Sequence, residues 1–284
     1  MLGAIIGDTV GSVYEFNNIK TTHFPLFDPR CNYTDDSILT MAVAQWLLTD
    51  PQHGMDTLET IFLDFAKKYP CPMGGYGGGF SRWLFHPEKL TDYDGNEELQ
   101  GKRHPYNSYG NGAAMRCSAN GWMFDTLEKT ERVAGLSAAI THNHPEGIKG
   151  AQSTSAAIFM ARHGASKEEI RNYISAKYGY NLNRTCDEIR PVYAWDSSCQ
   201  GTVPEAMVAF FDSTDFESAI RLAVSLGGDS DTLACITGGI AEAYYKFIPD
   251  EVALRIWHIL PEDFKTILTS MEARTTYRLP NILK

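Results

Sequence analysis

Ser37-Ile-Leu-Thr-Met-Ala-Val-Ala-Gln-Trp-Leu-Leu48 is apolar around most of its circumference. A helix with no broad polar face belongs inside a protein, so this stretch predicts a buried helix. Immediately before it stands Asn32-Tyr-Thr-Asp-Asp36. Thr34 is placed as an N-cap, with Asp35 and Asp36 in the first turn, where carboxylates suit both capping and the helix dipole.

The same arrangement recurs far along the chain. Gly227-Gly-Asp-Ser-Asp-Thr232 opens a second apolar stretch, 232–247. If both helices are buried, both helix starts lie deep in the fold. Four carboxylates brought together there repel unless they are protonated or metal-bound. A third acidic element, Gly7-Asp8-Thr-Val-Gly-Ser-Val-Tyr-Glu15, lies near the start. The donors are all oxygen, with no paired Cys and no His-x-x-x-His. Hard cations are implied, Mg²⁺ or Mn²⁺ ahead of Ca²⁺. Paired Asp-rich clusters suggest two metals about 3.5–4 Å apart. Whether the clusters converge is a question for the structure.

The rest of the chain also reads helical. Thr57 to Tyr69 places Leu58, Ile61, Phe62, Phe65 and Ala66 on one stripe. Helices are expected over Ala113–Met123, Ser153–Arg162, Leu233–Phe247 and Glu251–Ile259. Ser166 to Glu169 and Thr214 to Glu217 read as capping boxes. A short extended piece around Pro191–Trp195 is the one expected exception. Composition does not shift along the chain and no fixed-period repeat occurs. The expectation is an all-α fold, one domain over residues 1–284.

The charge narrows the function. Thirty-five Asp and Glu against 25 Lys and Arg give −10, which argues against a general nucleic-acid or anionic-membrane binder. Six irregularly spaced Cys without Cys-x-x-Cys fit reduced thiols and a cytoplasmic setting rather than a disulfide framework or zinc site. The apolar start lacks a basic n-region and meets Asp8 early, so no signal peptide is expected. No run of about 18 apolar residues predicts a membrane span. No heptad seam appears, and a monomer is expected.

Two long segments lack helical period: Pro70–Phe80, rich in glycine, and Pro87–Asn111, polar. Loops of that length are usually functional. In Met73-Gly-Gly-Tyr-Gly-Gly-Gly-Phe80, backbone amides can approach a ligand closely, and Phe80–Phe85 can add a helix N-terminus. A flexible loop and a phosphate cradle both fit these residues; a Walker loop does not, for want of Gly-Lys-Ser/Thr. Ser108-Tyr-Gly-Asn-Gly112 reads as a turn with a helix cap. Arg116 falls inside the predicted helix, where a structural ion pair and a substrate contact both fit. Thr141-His-Asn-His144 follows a helix, where a histidine usually caps.

Six segments together resemble the ADP-ribosylglycohydrolase family. In order they are Gly3–Glu15, Tyr33–Asp36, Gly75–Phe80, Ser108–Arg116, Thr141-His142 and Gly227–Thr232. The resemblance implies an all-α orthogonal bundle with a dinuclear Mg²⁺ or Mn²⁺ centre. It implies metal ligands at Thr34, Asp35, Asp36, Asp229, Asp231 and Thr232. It implies substrate contacts at Gly77, Gly78, Gly79, Ser108, Tyr109, Asn111 and His142, the glycines near a diphosphate and Tyr109 available to stack on adenine. Ser230 stands where many relatives carry Thr, a position that is not a usual ligand. The chemistry implied is hydrolysis of an N- or O-glycosidic bond to ADP-ribose through an oxocarbenium-like transition state. Glu15 is the favoured proton-transfer group, with Asp36 the other candidate. The ADP-ribosylated partner is a protein, a nucleobase or a small molecule, its acceptor selected by the Pro87–Asn111 loop and the neighbourhood of Glu15. An inactive binding protein of the same fold, and a dinuclear phosphohydrolase acting on the diphosphate, are the competing readings.

Overall fold

The structure is a computed structural model that describes residues 1–90, 99 and 101–284. The part of the expected acceptor loop at 91–98 and 100 lies outside the described residues.

The helices in chain order are α1 (Leu2–Gly11), α2 (Asp35–Thr49), α3 (Met55–Lys68), α4 (Gly78–Phe85), α5 (Gly112–Met115), α6 (Ser118–Met123), α7 (Leu127–Ala139), α8 (Pro145–Arg162), α9 (Lys167–Tyr178), α10 (Cys186–Ile189), α11 (Cys199–Asp212), α12 (Phe216–Ser225), α13 (Ser230–Tyr245), α14 (Asp250–Ile259) and α15 (Glu262–Arg274). The all-α expectation holds. Among the described residues β-pairing is limited to two isolated bridges, Thr34 with Met73 and Gly110 with Ser198. The extended piece expected at Pro191–Trp195 is turn and coil; the nearby bridge forms at Ser198 instead.

α2 is buried from Asp36 to Ala44 and again at Trp46 and Leu47, as its all-round apolarity demands. α13 is buried along nearly its whole length. α1 lies against α13, and a glycine stripe sets how closely. A β-carbon on Gly7 would stand 1.9 Å from the Ala234 carbonyl oxygen, and one on Gly11 would stand 2.5 Å from the Asp231 Cα. No larger residue fits either position without displacing backbone. The contact carries the C-terminal end of α1 onto the first turn of α13.

Three sequence boundaries move. The expected Ala113–Met123 helix breaks at Arg116–Cys117 into α5 and α6. The cap expected at Thr214 is Asp215, whose carboxylate accepts from the Ser218 amide. α8 begins at Pro145, eight residues before the apolar run, because Pro at the first helical position and the His144 side chain start it earlier. The Ser166 capping box forms as read.

Candidate active site

The two acidic helix starts meet. Asp36, Asp229, Asp231 and Thr232 are buried, Asp35 and Glu15 half-buried, and all six line one cleft of about 470 Å³. One carboxylate oxygen each from Glu15, Asp229 and Asp231 lie within 4.8 Å of one another. The Asp36 Oδ2 and Asp231 Oδ1 atoms are buried without a hydrogen-bond partner. Unpaired buried carboxylate oxygens are costly, and a hard cation is the partner that would satisfy them. The donor set therefore fits divalent metal.

Asp8 organises the α2 side from below. Wholly buried, it accepts from the Thr34 amide at 2.9 Å, the Thr34 hydroxyl at 2.7 Å, the Ser37 amide at 3.1 Å and the Ser37 hydroxyl. The Thr34 oxygen also accepts from the Asp36 amide at 3.2 Å, the N-cap bond read from the sequence. Thr34 lies beneath the cleft lining rather than on it, its oxygen retaining one lone pair.

The α13 side is held from farther away. Asp229 stands at the N-cap without a side-chain cap bond. Its Oδ2 accepts from the Asn111 amide at 2.8 Å, and that amide also donates to Thr202 at 3.0 Å. Gly227 and Gly228, both in the left-handed region, turn the chain into α13. Asn18 ties this turn to the Glu15 segment: its amide donates to the Tyr14, Glu15 and Gly228 carbonyls, and its oxygen accepts from the Gly228 amide. Asn111, implied as a substrate contact, thus has both its donors engaged within the protein.

Burial and mutual repulsion push these carboxyls up. Glu15 rises to about 7, through burial first, then the charges of Asp229 and Asp8. Asp8 rises to about 6, burial outweighing its hydrogen bonds. Asp35, Asp36 and Asp231 rise well above the usual range, chiefly by burial and then by the charge of Asp8 at the first two and of Asp229 at the third. Asp229 is raised by burial as well. Added positive charge would reverse this direction.

The glycine loop runs beside the cluster, bridged to the α2 start through Met73 and Thr34. Gly77, Gly78 and Gly79 line the cleft, with open space around Gly77 and Gly78. α4 begins at Gly78 without a side-chain cap, so its first-turn amides have no intrahelical acceptor. Ser108, Asn111 and His142 line the cleft too. Tyr109 does not: its exposed ring stands edge-on to His144 at 5.3 Å. Arg116 is wholly buried at the base, and among the described residues no carboxylate pairs with it. The Phe62 and Phe80 rings lie 5.0 and 5.7 Å from its guanidinium carbon. The structural ion pair allowed by the sequence is therefore replaced by cation–π contacts.

Sequence reasoning missed Asp8 as the organising acceptor, Asn18 as the tie, and the stacked pair Phe16 and Trp195. Those two rings lie 5.4 Å apart at 19° on the cleft wall next to Glu15. A larger cavity of about 850 Å³ lies at the far end of α13 against Thr276–Ile282. It lacks both the carboxylate cluster and the glycine loop, so chemistry rather than volume selects the site.

An all-α bundle of this kind is met elsewhere. The chain belongs to the ADP-ribosylglycohydrolase family, whose profile matches residues 1–273. It is similar to ADP-ribosylhydrolase ARH3 of Homo sapiens, 27% identical over 310 residues, covering 86% of this chain and 84% of that protein. It is similar to ADP-ribosylarginine hydrolase Tri1 of Pseudomonas putida, 24% identical, covering 86% of this chain and 69% of that protein. A solved ADP-ribosylglycohydrolase-related protein complex shares the fold, with a TM-score of 0.70, 23% identity and 96% coverage of both chains.

Proposed function

We propose that the protein is a divalent-metal-dependent ADP-ribosyl hydrolase that releases ADP-ribose from an acceptor. The observation that carries this reading is the pair of buried oxygens without a hydrogen-bond partner, Asp36 Oδ2 and Asp231 Oδ1, on two residues that line one cleft from two different helix starts. Family membership and the names of its relatives supply the substrate class.

Thr34, Asp35, Asp36, Asp229, Asp231 and Thr232 would hold two ions, Mg²⁺ or Mn²⁺. Glu15 stands close enough to Asp229 and Asp231 to join that set, a role the sequence reading did not give it. Bound divalent cations supply Lewis acidity that orients ribose hydroxyls and acidifies a water. The protein's own residues do the rest. The Gly77–Gly79 amides take the diphosphate. Glu15, at the cleft wall beside the cluster, moves the proton between water and the leaving acceptor. The exposed Phe16–Trp195 pair flanks Glu15 and suits a flat acceptor such as a guanidinium or a nucleobase.

The product tests this. Incubation of defined ADP-ribosylated arginine, serine and nucleobase substrates with Mg²⁺ or Mn²⁺ is expected to release ADP-ribose from at least one. Release of AMP instead would indicate phosphoryl chemistry. No release and no metal binding would indicate a non-catalytic member of the fold.

A further inference from the structure

His142 follows α7 and projects its ring between two glycines of the Ser108–Gly112 turn. A β-carbon on Gly110 or on Gly112 would stand 3.4 Å from its Nε2. Its Nδ1 points the other way, 2.7 Å from the Thr141 hydroxyl oxygen. That oxygen is in turn 2.9 Å from Nη2 of Arg116, which also donates to the Ser137 carbonyl at 2.9 Å. Thr141 and Arg116 are completely buried, and His142 nearly so.

Counting hydrogens fixes the direction of the chain. A guanidinium only donates, so Thr141 Oγ1 accepts from Arg116. Its own hydrogen then needs an acceptor, and the adjacent one is His142 Nδ1. If Nδ1 carried the proton instead, two donors would converge on the Thr141 oxygen and its buried hydroxyl hydrogen would have none. We propose that Arg116 and Thr141 are positioning residues that lock His142 in the neutral Nε2–H tautomer, presenting a fixed N–H donor to an oxygen of the bound ligand. A second positive charge beside Arg116 is disfavoured in the same direction: burial first, then Arg116, holds the imidazole pKa well below its usual value. Arg116 itself, lowered to about 10 by burial, stays charged at neutral pH. That no carboxylate among the described residues pairs with Arg116 has a use, because a carboxylate at Thr141 would draw its hydroxyl away from His142. The ligand part of this inference rests on the cleft being an ADP-ribose site; the tautomer part does not.

The test is nitrogen-15 NMR of histidine-labelled protein at neutral pH, with the His142 signal assigned by His142→Gln, beside the affinity for ADP-ribose. Wild type is expected to show the Nε2–H tautomer. Thr141→Val, nearly isosteric, is expected to lose that tautomer preference and to weaken ADP-ribose binding by about threefold to tenfold, the scale of one hydrogen bond. Thr141→Ser, which restores the hydroxyl, is expected to recover both. An imidazolium or an Nδ1–H tautomer in wild type would overturn the proposal without any variant. So would a Thr141→Val protein that keeps the tautomer, or one that keeps the affinity while wild type binds. A wild type that shows the Nε2–H tautomer but binds no ADP-ribose would leave the relay standing and sink the functional reading.

Discussion

The starts of α2 and α13 carry nearly the same letters and are held by different means. At α2 a local cap is joined by one contact from α1: Thr34 caps the Asp36 amide, and the buried carboxylate of Asp8 fixes Thr34 and Ser37 together. At α13 no side chain caps the helix, and Asp229 depends on Asn111, a partner 118 residues away. The first cluster combines a cap of its own turn with a carboxylate brought in from α1, and the second leans on a side chain much farther along the chain. Loss of Asn111 should therefore loosen the α13 side while the Thr34 cap survives.

The largest effect is expected at the residue between the two. Glu15→Gln should cut ADP-ribose release by about 10²-fold or more, the scale of a proton-transfer group. Near-normal turnover would remove Glu15 from that role. Next, Asn111→Ala should weaken divalent-metal binding by about 10- to 100-fold, as loss of an outer partner of a ligand does. If titration showed Asn111→Ala unchanged, the long-range support of α13 would be unimportant. Gly7→Val should cost about 1–3 kcal/mol of stability or more by forcing α1 off α13. Denaturant unfolding of the metal-free protein reads this without reference to activity. Thr34→Ala should be the mildest in stability, about 1 kcal/mol for a lost cap, and should spare Asp229.

Metal removal links the two clusters through pH. Carboxyls whose folded pKa stands above the unfolded value keep protons that the unfolded chain has released. Metal-free protein should then lose stability as pH rises from about 4, the contribution of Asp8 ending at about 6 and that of Glu15 at about 7. Thermal melts in chelator at about pH 5 and about pH 8 check the sign. Divalent metal should raise the melting temperature more at the higher pH. A larger rise at the lower pH would mean that the cluster is not the metal site.

The contrast also explains what was legible in the residues. The α2 start could be read because its cap, carboxylates and apolar run are contiguous. The same pattern located Asp229, Asp231 and Thr232. Their convergence could not be read, because it depends on the close approach of Gly7 and Gly11 to α13. Glycine in a helix signals nothing until its neighbour is known. Asp8 looked like one more acid near the cluster, and only its four donors reveal a support. Arg116 was open between ion pair and ligand contact, and the aromatic rings that settle its surroundings come from α3 and α4. Tyr109 matched its motif by position, yet its ring lies off the cleft wall. Motif matching places a backbone position, and side-chain direction follows from packing.

In the function proposed, two distant helix starts build one divalent-metal site. Calorimetric titration of Mn²⁺ into wild type, Asp36→Asn and Asp231→Asn tests it most directly. Binding to wild type is expected, with its loss or severe weakening in both variants, although the substitutions lie on different helices. Wild type that binds no Mn²⁺, or either variant binding as tightly as wild type, would contradict it.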